Sequence, residues 1–160
     1  MRYVILAVSI ISCCCTDQGT TLPPDIPIAQ LLATPDSLVL QGRVFKLSTY
    51  LWRDFMPISP PDGKPLIALV YIETADTASF PQSISSDAIW IVCSGQVWKS
   101  FFTDEPRQPN PLKPNRYERV ARDGPKWGPS VYVDVIVRVL DGGGNTFFLR
   151  ASNQWIGRTD

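Results

Sequence analysis

Two adjacent carboxylates, Asp104-Glu105, and a third in a distant loop, Asp62, are the residues of this sequence most suited to bond chemistry. A glycosidase needs two carboxylates held roughly 5–10 Å apart in a cleft. Nothing in the spacing of these three brings two of them together, and adjacent acids on a proline-rich loop are ordinarily solvated, so no catalytic residue is assigned. The sequence contains no histidine. It therefore lacks the commonest general base at neutral pH, which excludes Ser–His–Asp and Cys–His catalysis and His-ligated zinc or haem. It has no calcium-loop run of aspartates and no CxxC spacing, so no metal ligand and no cofactor is assigned. Gly142-Gly143-Gly144 lacks the Lys-Ser/Thr of a phosphate loop and reads as a turn.

The five tryptophans, Trp52, Trp90, Trp98, Trp127 and Trp155, offer a different chemistry, that of stacking and apolar contact. Trp90 and Trp98 flank Ser94-Gly95 and are expected as cross-strand neighbours on one sheet face. They form either a core pair or a flat platform for a sugar or peptide. Trp127 lies in Arg122-Asp123-Gly124-Pro125-Lys126-Trp127-Gly128-Pro129, a loop stiffened at both ends. Such a loop either presents Lys126 and Trp127 to a ligand or folds Trp127 back as a plug. Trp52-Arg53 precedes a second proline-rich loop, Pro57 to Pro65. The candidate binding residues are therefore Lys126, Trp127, Trp52 and Arg53. Arg53 and Asp54 point to opposite faces if this stretch is a strand. Cys93, in Ile89-Trp90-Ile91-Val92-Cys93, reads as a small buried hydrophobe.

These residues need a scaffold, and the pattern that supplies it is strand after strand. The predicted strands are Leu38–Phe45, with a bend at Gly42, then Leu47–Phe55, Leu66–Thr74, Ala88–Cys93, Gln96–Thr103 and Arg116–Arg122. A last hairpin joins Val131–Leu140 to Thr146–Ser152 through Asp141-Gly142-Gly143-Gly144-Asn145. The prolines of Asp104–Asn115 rule out a strand there. In the hairpin the odd positions Val131, Val133, Val135, Val137 and Val139 form an unbroken valine face, which must lie on a core. Pairing Leu140 with Thr146 sets Val139 opposite Phe147 and Val137 opposite Leu149, and a slip of one residue would turn the valines to water. Arg150 then lies diagonal to Asp134 and Arg138 on the outer face. Seven or eight strands with almost no helical periodicity predict an all-β fold, an antiparallel β-sandwich. The final hairpin, Tyr132-Val133-Asp134-Val135-Ile136-Val137-Arg138-Val139 followed by Asp141-Gly142 and a closing strand, resembles the last two strands of bacterial immunoglobulin-like modules. That resemblance implies an immunoglobulin-like sandwich and no function.

The amino terminus carries an address. Arg2 precedes a nine-residue apolar run, Tyr3–Ile11, too short to span a bilayer but suited to a signal peptide. The run closes on Ile10-Ile11-Ser12-Cys13, which resembles the lipobox of bacterial lipoproteins. The resemblance implies removal of residues 1–12, acylation of Cys13 and a membrane-anchored domain in the cell envelope, outside the cytoplasm. Cys14 and Cys15 have a cysteine rather than a small residue before them. Residues 13–35, with Pro23-Pro24 and Pro27, read as a lipidated tether in which Ile28–Thr34 is a short helical turn or first strand. Residues 36–160 are the sandwich domain. Fifteen basic residues balance fifteen acidic ones, so no electrostatic footprint points to nucleic acid, and membrane association would come from the lipid. The expected role is a non-catalytic binding or scaffolding module with an envelope protein or glycan as partner. Two alternatives stand beside it: a protease inhibitor using the proline-stiffened loops, and a carboxylate-dependent enzyme acting on glycans.

Overall fold

Alternation of apolar and polar residues builds nearly every element that positions a functional side chain. The computed structural model describes residues 22–105 and 111–160; Cys13 and the leader before it lie outside the described residues. One short helix, α1 (Ile28–Leu32), precedes eight strands. They are β1 (Ser37–Leu40), β2 (Arg43–Asp54), β3 (Leu66–Thr74), β4 (Ser85–Cys93), β5 (Gln96–Phe101), β6 (Arg116–Gly124), β7 (Val131–Leu140) and β8 (Thr146–Thr159). They form one sheet in the order β5-β4-β7-β8-β2-β3-β6, with β1 folded onto β2.

The expected all-β fold of seven or eight strands is what forms. The sheet is mixed, however, rather than wholly antiparallel: β2 and β8 run parallel from Leu51↔Ile156 to Asp54↔Thr159. The cause is the length of β8. Its first half closes the predicted hairpin on β7, with Leu140↔Thr146, Val139↔Phe147 and Val137↔Leu149 in the expected register. A bulge opposite Asp134 then shifts the register, with Asn153 at a φ of 56°. Beyond it the strand continues to Thr159, and Ile156 to Thr159 take β2 as a second neighbour. The arrangement is one curled sheet, a half-barrel. At its seam the Thr103 N–H donates to the Val120 carbonyl at 2.8 Å, and the Trp98 ring lies against Gly124.

The inside of the curl is the main core. Val133, Val135, Val137 and Val139 bury their side chains there with Phe45, Leu51, Ile72, Ile89, Ile91 and Ile156. Each such residue contributes roughly 1.5–3 kcal/mol relative to exposure. Cys93 joins this cluster as a free, buried thiol. Gly42 sits in a tight hairpin turn with Gln41, both at positive φ, and so separates β1 from β2 where the sequence predicts one bent strand. The Ser94-Gly95 turn is built the same way and matches its expectation.

A second apolar cluster lies on the outer face of β4 and β7, where Ala88, Trp90, Val92 and Ile136 pack beneath Leu31 of α1. Leu31 is 1% exposed, and Trp90 Nε1 donates to the Pro24 carbonyl at 3.2 Å. Lys99 pairs with Asp25 at 2.6 Å, and the Arg150 N–H donates to the Pro35 carbonyl at 2.9 Å. The described part of the expected tether is thus a strap docked on the sheet. Its apolar residues Ile26, Ile28 and Leu31 give it a buried face that its prolines mask in the sequence.

Candidate functional site

The sequence directs attention first to the end of the half-barrel that carries Arg53, Lys126 and Trp127. β2 delivers Arg53 to the inner side of this end, where it is 3% exposed. Its Nε donates to the Lys64 carbonyl at 3.0 Å, and its Nη1 to the carbonyls of Lys126 at 3.0 Å and Gly128 at 2.6 Å. Its Nη2 donates to the Asp62 carbonyl. One guanidinium therefore ties together the loops that follow β2 and β6. Lys126, on the exposed side of its loop, pairs through its Nζ with the Asp62 carboxylate at 2.6 Å. That bond holds the Asp62 carboxyl below the usual carboxylate range. Lys64 likewise pairs with Asp54 at 2.8 Å, and this contact together with the Met56 N–H lowers the Asp54 carboxyl. Trp127 packs against the main core and donates from Nε1 to Gln96 Oε1 at 3.0 Å. Its ring is thus half-buried against the core. Phe55 is held between Arg53 and Arg158, at 5.0 and 4.2 Å from the ring centre, and Gly63 presses on its ring at a φ of 72°. A Cβ at Gly63 would sit 2.5 Å from that ring. Three loops and strands are braced together at this end, and Ile58 stands out from it, 89% exposed.

Trp52 belongs elsewhere. It is next to Arg53 in β2 and therefore faces outward. There it meets Tyr50, with ring centroids 5.1 Å apart and planes inclined at 35°. Tyr132 of β7 lies directly across from Trp155 of β8, their centroids 5.0 Å apart and inclined at 59°. The Leu51↔Ile156 register sets Trp155 one step from Tyr50 on the same outer face. The Thr49 Oγ1–Gln154 Oε1 bond of 2.6 Å on the inner side fixes that relation. Four aromatic side chains thus line one outer strip over the adjacent strands β7, β8 and β2. Tyr132 is 63% exposed, Tyr50 54% and Trp155 47%. Three strands at about 4.8 Å spacing give the strip a width of about 10 Å. Gly157 lies opposite Trp52 and leaves its flank open on that side.

The rim of the strip is polar. The bulge in β8 sets Asp134 opposite Ser152 and Asn153, beside the Tyr132–Trp155 pair. Asp134 makes no ion pair among the described residues. Arg150, which the sequence placed diagonal to it, turns instead to the Leu32 carbonyl. Arg138 is held by Asp87 at 2.6 Å. The strap shields the outer faces of β4 and β7 and reaches Phe148 and Arg150 in the first half of β8, but Tyr50, Tyr132 and Trp155 beyond it stay open to water.

The opposite end of the half-barrel carries a cleft of about 470 Å³ lined by Phe80, Pro81, Ile84, Pro114, Arg116 and Tyr117. Its aromatic rings are committed to the fold. Phe80 stacks on Tyr117 at 5.2 Å and meets Phe45 edge-on at 5.7 Å. Arg116 pairs with Glu73 at 2.5 Å and lies over the Tyr71 ring. Arg43 braces the neighbouring loop through Asp76, Ser79 and Ala78, as Arg53 braces the other end.

The structure thus brings Arg53, Lys126 and Trp127 together in a closure and sends Trp52 to a different surface. Trp90 and Trp98 are not cross-strand neighbours on one face. The register pairs Trp98 with Ile91 and Trp90 with Lys99, so Trp90 lies outside under the strap and Trp98 inside. Asp62 and Glu105 are each held by a cation, Lys126 and Arg122. Tyr50, Tyr132 and Trp155 escaped the sequence reading. Tyr132 sat on the mixed side of the valine strand, and Trp155 lay in a tail assigned to no strand. Among the described residues no group of three or more His, Cys, Asp or Glu is placed to hold a metal ion, and no helix is long and apolar enough to cross a membrane. No family model matches the chain, and neither a curated protein nor a solved structure matches it.

Proposed function

We propose that this chain is a lipid-anchored, non-catalytic binding module of a bacterial cell envelope, and that the aromatic strip is its binding face. The observation that carries the binding role is the exposed set Tyr50, Tyr132 and Trp155, with the half-buried Trp52 beside them, on a sheet whose neighbouring outer face is covered by the chain's own strap. Exposed apolar patches of a few hundred Å² on a monomer commonly mark interaction sites. Two of the three loop carboxylates, Asp62 and Glu105, are paired with cations, which suits a structural role better than acid–base work. The anchor rests on Ile10-Ile11-Ser12-Cys13. Eight residues lie between Cys13 and Leu22, a span of at most about 30 Å, so an acylated Cys13 would hold the sheet close to the bilayer.

Two variants separate the anchor from the face. Cys13→Ser should release the chain from membranes into the soluble fraction, with loss of incorporated palmitate. Added back to isolated envelopes, this unlipidated chain should still co-sediment with them. Tyr50→Ala/Trp155→Ala in the same background should abolish co-sedimentation. Equal sedimentation of the two unlipidated proteins would refute the role of the strip.

A specific observation favours a second reading, protease inhibition. Ile58 stands exposed on a loop braced at both ends: Arg53 holds the Asp62 and Lys64 carbonyls, Asp54 holds the Met56 N–H, and Ser59 N–H bonds the Met56 carbonyl at 2.7 Å. A pre-organised loop binds with less ordering cost. Protease blocking lost on Ile58→Asp, with envelope sedimentation intact, would select this reading.

A further inference from the structure

We infer that the ligand of the aromatic strip is a linear, uncharged glycan built of pyranose units with equatorial substituents, lying across β7, β8 and β2. The inference rests on the binding face proposed above and names what that face holds. Equatorial substitution leaves both faces of a pyranose ring lined with C–H groups while its edge carries hydroxyls. Such a ring stacks its C–H face on an aromatic side chain and turns its hydroxyls toward polar neighbours. The strip supplies both partners in the required arrangement. Its rings come in two pairs, Tyr132–Trp155 and Tyr50–Trp52, separated by the step from β8 to β2. Their span of about 10 Å matches a short oligosaccharide rather than a single sugar. Asp134, Ser152 and Asn153 border the first pair with acceptors and donors for hydroxyl groups.

Other occupants fit less well. Rings of this type carry roughly 150–250 Å² each, and at the exposures of Tyr50, Tyr132 and Trp155, with a smaller share from the half-buried Trp52, the strip presents roughly 300–400 Å². A stable protein interface needs about 800 Å² from each partner, so neither a second copy nor a globular protein is satisfied by this surface. An anionic lipid surface calls for lysines or arginines around the rings. The rim here offers the carboxylate of Asp134, which pairs with no cation among the described residues, and the neighbouring cations Arg138 and Arg150 are already engaged by Asp87 and Leu32. A bulge that places Asn153 at positive φ beside the rings is the kind of local distortion sheets use to re-aim side chains near sites.

The test is calorimetric titration of the full Cys13→Ser chain with two probes, the β-1,4-linked tetrasaccharides of glucose and of N-acetylglucosamine. Parallel samples receive vesicles of anionic phospholipid, and sedimentation velocity follows self-association. Saturable binding of at least one tetrasaccharide is expected, weakened about ten-fold or more in Trp155→Ala and in Tyr50→Ala. Ser152→Ala/Asn153→Ala should weaken it less. Trp127→Phe should bind like the parent, and unchanged circular dichroism and melting must accompany each loss. Failure of both tetrasaccharides to bind overturns the glycan assignment, as does binding unaffected by the strip variants. If the strip variants instead lose vesicle binding, or dissolve a dimer, the strip survives as a binding face and the glycan is refuted. If they change nothing in any arm, the binding face itself falls.

Discussion

Arg53→Met removes the brace of the Arg53 end while keeping the length and apolar stem of the side chain. Four donated hydrogen bonds disappear, to the carbonyls of Lys64, Lys126, Gly128 and Asp62. Each buried carbonyl left without a donor costs about 1–3 kcal/mol. Lys126 and Asp62 are exposed, so water can reach their carbonyls, and the loss comes mainly from those of Lys64 and Gly128, about 3 kcal/mol in all. At about 3 °C per kcal/mol for a chain of this size, the melting temperature should fall by about 9 °C. Arg53→Lys brings three donors to a single point and cannot fork to two loops, so it should recover no more than half of the loss. Urea unfolding of the parent and both variants measures the change. Hydrogen exchange should quicken in 57–65 and 125–130 and stay unchanged in the β7–β8 hairpin. Midpoints within about 1 kcal/mol of the parent for Arg53→Met, or a lysine variant as stable as the parent, would refute the reasoning.

Leu31→Ala should cost about 2–4 kcal/mol, because Leu31 is the buried knob of the strap over Trp90 and Ile136. Urea midpoints read this directly, and Trp90 emission should shift to the red if the strap lifts; a change below about 1 kcal/mol would mean the strap is not docked. Stability should be nearly flat between about pH 5 and 8, because the sequence has no histidine to titrate there. Below that range it should fall. Asp54, Asp62, Asp76 and Asp141 are lowered by hydrogen bonds from Lys64, Lys126, Arg43 and Asn145 respectively. A carboxyl lowered by folding contributes above its unfolded pKa of about 3.9 and loses that contribution as pH drops through its folded value. Melting temperatures recorded from pH 8 to 2 check the sign; a rise in stability on acidification would contradict it.

The sequence made the local pairing legible and left the distant pairing hidden. The valine face of β7, the glycine-rich turn and the Ser94-Gly95 turn specify hairpins whose partners are neighbours in the chain, and their registers follow from alternation alone. The parallel β2–β8 pair joins Leu51 to Ile156 across about a hundred residues, and nothing local announces it. The same distance concealed the site. Trp52 lies on a legible strand, but Trp155 and Tyr132 come onto its face only when β8 inserts between β2 and β7. One clue was present: Tyr50-x-Trp52 places two aromatics on one strand face at a period of two. Arg53 and Trp127 were chosen for residue type and loop stiffness. Those properties mark structural closures as readily as binding loops, and only burial separates the two. The strap was obscured by its prolines, which mimic a tether, whereas Ile26, Ile28 and Leu31 supply the apolar contact that docks it.

The proposed binding face is the outer strip and not the braced end. Fluorine NMR of the full chain carrying 5-fluorotryptophan tests it most directly, with the resonances assigned by single Trp→Phe variants and the protein titrated with purified envelope glycan. The Trp155 and Trp52 resonances should move together and saturate while those of Trp90, Trp98 and Trp127 hold still. Movement confined to Trp127, or no movement at any tryptophan, would contradict it.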